Sequence, residues 1–151
     1  EAGWGEMGKV VQACDHDWRF MDMEHSALTL EEAVEISVAA LDTGITPIVR
    51  VPGHEAFHIS RVLDGGAMGV VIPHVNTAEE ARRVVSACRY PPVGHRSVMG
   101  GYTQLGFETI SIKDASEFMN ANTLLAVMIE TPEAVENVEE IAAVDGIDII
   151  Y

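Results

Sequence analysis

Basic residues are scarce in this sequence. Nine lysines and arginines stand against 24 aspartates and glutamates, a formal charge of −15. A surface of that sign repels phosphate backbones and anionic lipid heads at long range, which argues against nucleic acid and membrane surfaces as partners. Cysteine is scarcer still. Cys14 and Cys88 are far apart, without the spacing of a metal site, and read as reduced thiols in a cytoplasmic protein. No apolar run approaches the roughly 20 residues that a membrane-spanning helix needs, and the first residues lack the basic-then-apolar order of a signal peptide. A Gly-rich phosphate turn after the first strand-like segment is missing too, which argues against an open dinucleotide-binding sheet. What is present is 151 residues, 48% of them hydrophobic, enough for one ordinary core.

Apolar and polar residues alternate between two periods along the chain. A helix is expected over 6–14, then a short strand over 18–23, WRFMDM. Thr29 caps an amphipathic helix with Glu31 and Glu32 in its first turn and Gly44 as its stop. A strand over 46–51 meets Pro52-Gly53, a helix over 54–63 ends at Gly65-Gly66, and GVVIP over 69–73 reads as a strand buried on both faces. Asn76 or Thr77 caps the next helix. Residues 90–112 are Gly-rich and Pro-bearing, too long for a simple connector, and read as a candidate functional loop. A short helix over 113–120, a strand over 124–130, a Thr131-Pro132 helix start, a helix over 133–142 and a strand over 147–151 complete the pattern.

Strand and helix alternate strictly, the signature of a parallel α/β fold with five strands. Charged residues close several separate strands, namely His25, Arg50 and Glu130. Sites assembled from many strand ends belong to the (β/α)8 TIM barrel rather than to the open doubly wound sheet. Both ends of the sequence read as interior to a longer fold, so residues 1–151 are expected to be one partial barrel domain, cut at each end.

His54-Glu55-Ala56-Phe57-His58 matches H-E-x-x-H, a zinc-protease pattern that requires both histidines within one helix. Pro52-Gly53 just before it makes His54 a cap or first-turn residue, and no third ligand follows, so helix-start polarity is the preferred explanation.

Four stretches carry a wider resemblance: DWRFMDMEHSAL, PIVRVPG, GVVIPHVNTAEEARRVVSACRYPPVGHRS and MIETPEAVENVEEIAAVDGIDII. Together they resemble, in family order, the HpcH/HpaI aldolase/citrate lyase family of 2-oxo acid aldolases. The resemblance implies a (β/α)8 barrel that uses a divalent metal, Mg2+, Mn2+ or Co2+, to make or break a carbon–carbon bond next to pyruvate. It places His25 on the acid/base histidine, Arg50 on the substrate-binding arginine and Glu130 on one metal-ligand carboxylate. Asp64 matches the aspartate paired with that histidine. Lying at a helix end on the face opposite His25, Asp64 implies a homo-oligomer with the active site near a subunit interface.

The sequence departs from the family pattern at two points. Met128 stands where the family has glutamine, two residues before the metal glutamate, and so removes an amide from beside the metal. The second metal carboxylate of the family falls beyond Tyr151. The expected function is a metal-dependent aldolase that takes a small 2-oxo acid and an aldehyde, with aldehyde specificity assigned to residues 94–107. The alternatives are another pyruvate-enolate reaction, as in a decarboxylase or a carbon–carbon-forming synthase, and a non-catalytic binding protein that keeps the barrel. Asp22 and Glu24 are assigned no more than a role in orienting the rim.

Overall fold

A computed structural model describes Val10, Ala13, Cys14 and residues 16–151. The helix expected over 6–14 lies outside the described residues apart from Val10, Ala13 and Cys14. Five parallel strands form one sheet in the order β1 (Trp18–Asp22), β2 (Thr46–Arg50), β3 (Gly69–Ile72), β4 (Leu124–Val127) and β5 (Ile149–Ile150). Spatial order follows chain order. Each step is a strand, a helical return and a parallel neighbour on the same side, the winding of a barrel arc and not of a doubly wound sheet, whose order reverses. The returns are α1 (Leu30–Asp42), α2 (Ala56–Asp64), α3 (Ala78–Cys88), α4 (Ile112–Asn122) and the pair α5 (Pro132–Glu136) and α6 (Val138–Ala142).

The two faces of the sheet are treated differently. Met21, Val49, Val70, Ile72, Leu125 and Val127 point outward and form the main core with Ile36 of α1, Ile59, Val62 and Leu63 of α2, Val84 and Val85 of α3 and Ile141 of α6. Burying each such side chain contributes about 1.5–3 kcal/mol. The opposite face carries Ile48, Val71, Ala126 and Met128 as a smaller cluster. It opens as an apolar concavity that Trp18, Phe20, Leu124, Ile149 and Tyr151 also line. All four residues of β3 are buried, which explains its unbroken GVVI. Gly69 starts β3 against β4, where an added Cβ would come within 2.9 Å of the Leu124 Cβ.

Local chemistry fixes the ends of the elements. Thr29 and Glu32 form a reciprocal capping box at α1, and Gly44, at φ +75°, turns the chain out of it. Thr77, Ser111 and Thr131 cap α3, α4 and α5 through their side-chain oxygens.

Three expectations are corrected. The helix expected over 54–63 starts at Ala56, so His54 stands outside it and the two histidines of the H-E-x-x-H match do not share a helix. The single helix expected over 133–142 is broken at Asn137 (φ −100°, ψ 7°), whose side-chain amide donates to the Asn76 carbonyl at 2.9 Å. The third concerns the long segment over 90–112. Gln104 donates to the carbonyls of Leu63 (2.5 Å) and Ala67 (3.0 Å), and Arg96 bonds Asp64. That places it where the chain enters β3, the end of the sheet away from His25, Arg50 and Glu130. The segment links α3 to α4 within the return from β3 to β4, and these contacts hold it at the entry end.

Candidate active site

The C-terminal strand ends bring six charged or titratable residues together. Asp22 and Arg50 are the last residues of β1 and β2 and are paired in register, so their side chains emerge next to each other. Arg50 donates through Nε to Asp22 Oδ1 at 2.9 Å and through Nη2 to Asp22 Oδ2, a two-point grip that fixes the guanidinium plane. Its Nη1 lies 3.3 Å from Glu24 Oε2 and 3.9 Å from the Met128 sulfur. The Asp22 carboxylate also accepts the amide N–H groups of Glu24 (2.9 Å) and His25 (3.3 Å), which tightens the turn after β1. The Arg50 bond, above all, holds the Asp22 carboxyl down at about 2, and Asp22 in turn raises the Arg50 guanidinium.

The chain after β3 completes the cluster. His74 follows Ile72 and Pro73, with its backbone in the left-handed region at φ +53°. Its amide donates to Glu130 Oε2 at 3.1 Å. Its ring sets Nδ1 3.4 Å from the same oxygen and Nε2 3.1 Å from Glu24 Oε1. Glu24 thus touches Arg50 and His74 and lies 3.7 Å from His25 Nε2. Three carboxylates face one arginine and two histidines.

The expected residues are distributed as follows. Arg50 and Glu130 share the cluster. His25 stands at its edge, its side chain 67% exposed. Asp64 is the last residue of α2, and its carboxylate is taken by Arg96 at 2.6 Å within the chain, at the other end of the sheet. Asp22 and Glu24 do more than orient the rim, because they hold Arg50. His74 was missed, although it ends its strand segment in the same position that singles out Arg50 and Glu130.

The donor chemistry suits a hard cation, since carboxylate oxygens dominate and no thiol is near. The Glu130 side chain is partly open, and its Oε2 is already oriented by the His74 amide. Among the described residues no group of three His, Cys, Asp or Glu side chains is placed to hold a metal ion by itself. The described residues thus offer the partly open Glu130 carboxylate at this end of the sheet and no complete cation site. Among the described residues, too, no helix is long and apolar enough to cross a membrane.

A family model described as HpcH/HpaI aldolase/citrate lyase matches residues 5–151. The 4-hydroxy-4-methyl-2-oxoglutarate aldolase of Chaetomium globosum is 44% identical over 133 residues, covering 87% of this chain and 49% of that protein. A crystal structure of an HpcH/HpaI aldolase from Desulfitobacterium hafniense DCB-2 superposes with a TM-score of 0.90 at 30% identity, over 99% of this chain and 58% of that one. A crystal structure of citrate synthase SbnG gives 0.84 at 34% identity, over 97% and 55%. The chain spans about half the length of the curated relatives it matches.

Proposed function

Since the chain belongs to the HpcH/HpaI aldolase/citrate lyase family, we propose that it carries the strand-end site of a lyase that cleaves a 4-hydroxy-2-oxo acid to pyruvate and a carbonyl fragment, or runs the reverse. The observation that carries this reading is the arginine held flat by two acids beside Glu130 and His74.

Arg50, positioned by Asp22 and Glu24, binds the 2-oxo acid and offers N–H groups to the oxygen on which negative charge develops. Donors fixed in advance in this way are worth about 10²–10³ in rate. His25 at the open edge takes the proton of the 4-hydroxyl as the C3–C4 bond breaks. The bonding pair moves into the enolate, and protonation at C3 yields pyruvate. Asp64 is assigned to the His25 of a neighbouring copy, which fits its distance from the site within its own chain and makes the working enzyme a homo-oligomer. Glu130, with ligands beyond the described residues, would hold Mg2+, Mn2+ or Co2+, which supplies Lewis acidity at the 2-oxo group. Met128 puts a thioether beside Arg50, so this side of the site is less polar than an amide would make it. The cytoplasm is its proposed place.

The test is pyruvate release from 4-hydroxy-4-methyl-2-oxoglutarate and related acids by the protein with its complete barrel. Turnover that chelator abolishes and divalent ions restore is expected; no turnover of any 4-hydroxy-2-oxo acid with any of these ions would sink the proposal. The likeness to a citrate synthase favours one second reading, carbon–carbon bond formation as the working direction. Product analysis with oxaloacetate as the acceptor separates the two.

A further inference from the structure

We infer that His74 is a positioning residue of this site: it orients the Glu130 carboxylate for the cation and ties it to Glu24. The inference rests on the reading of Glu130 as a metal ligand given above.

The backbone is the first support. A left-handed conformation at a residue other than glycine persists where its surroundings over-determine it, and such positions gather at functional sites. Here both flanks are pinned. The carbonyl of Pro73 accepts from His54 Nε2 at 2.6 Å, and the amide of Val75, which is fully buried, donates to the Met128 carbonyl at 3.3 Å. The turn that results aims the His74 amide at Glu130 Oε2. His54, left over from the H-E-x-x-H match, finds its use in holding this turn.

The ring is the second support. β1 and β4 are not neighbours in the sheet, since β2 and β3 lie between them. The imidazole spans that gap, with Nε2 at 3.1 Å from Glu24 and Nδ1 at 3.4 Å from Glu130. The backbone amide of His74 donates to Glu130 while its ring reaches Glu24, so one residue stands between two carboxylates that converge from separate strands. Because Glu24 also contacts Arg50, the ring links the arginine that binds the 2-oxo acid to the carboxylate that binds the cation. The His74 side chain itself remains about half exposed.

The experiment is calorimetric titration of Mn2+ onto the complete-barrel protein, unmutated and as His74→Gly and His74→Asn. Glycine accepts the left-handed backbone and keeps the amide but removes the ring, whereas asparagine tolerates the same backbone and keeps a side-chain donor. Removing a side chain that orients a metal ligand weakens binding about 10-fold or more, so His74→Gly should lose at least that, with His74→Asn within about threefold of the unmutated protein. Melting temperatures should stay together. Mn2+ affinity unchanged in His74→Gly would overturn this inference alone. An equal loss in both variants with a lowered melting temperature would also overturn it, by making His74 a general structural support. Absence of saturable Mn2+ binding in the unmutated protein would remove the metal reading of Glu130 and this inference with it.

Discussion

The two ends of the sheet use the same residue types for opposite ends. Where the strands enter, Arg89 is 5% exposed and fully engaged: it donates to the carbonyls of Asn120 (2.9 Å), Thr123 (2.6 Å) and Gly146 (2.9 Å) and to Asp148 (2.8 Å). Arg96 there is 3% exposed, bonds Asp64 and lies 4.5 Å above the Tyr90 ring. Where the strands leave, Arg50 has no backbone carbonyl among its described partners. It meets two carboxylates and a sulfur, with a third acid and two histidines around it. One end staples α3, α4, β4 and β5 together. The other gathers partly exposed charged groups at the strand ends, the division expected between the two faces of a barrel.

That contrast can be broken at either end. The largest effect on stability is expected from Arg89→Met, which takes this donor from the carbonyls of Asn120, Thr123 and Gly146 and leaves Asp148 with the Leu125 amide alone. A hydrogen bond to a charged group is worth about 1.5–3 kcal/mol, and several are lost together, to be read by chemical denaturation of the full-length protein. A loss below 1 kcal/mol would mean that the entry end is not the structural one. A smaller effect comes from acid. Asp22 titrates at about 2 in the fold against an ordinary 3.8, chiefly because Arg50 bonds its carboxylate. A carboxyl lowered by folding contributes its stability in full above its unfolded value, and that contribution fades as pH falls toward 2. The difference corresponds to about 2 kcal/mol. Denaturation at pH 5 and at pH 2 should show the unmutated protein losing about that much more stability than Asp22→Asn. Equal losses would remove the clamp on Arg50 from the account.

Much of this architecture is readable in the chain because its determinants are local. The capping pair Thr29 and Glu32, the stop at Gly44 and the unbroken apolar run of β3 each act within a few residues. Arg50 is visible because it closes β2, and Glu130 because the apolar run that begins in β4 stops at it. The grip of Asp22 on Arg50 depends on strand register and is invisible from either segment alone. His74 escapes for a related reason, since its left-handed turn is held by His54 and Met128, from other elements. The break at Asn137 likewise needs Asn76. The long segment over 90–112 is a different case. Its length suggests function, but it joins two helices of one return, α3 and α4, and its bonds to Leu63, Asp64 and Ala67 set it at the entry end.

The measurement that bears most directly on the central claim sets one conservative substitution at each end side by side. Arg50→Lys and Arg89→Lys both keep a positive charge and lose the planar fork. Pyruvate release from 4-hydroxy-4-methyl-2-oxoglutarate is followed in the full-length protein at a temperature where circular dichroism finds all forms folded. The account predicts a fall in kcat/KM of about 10²–10³ for Arg50→Lys and less than about threefold for Arg89→Lys. Similar losses in the two, or the larger loss in Arg89→Lys, would contradict the assignment of the chemistry to the exit end of the sheet.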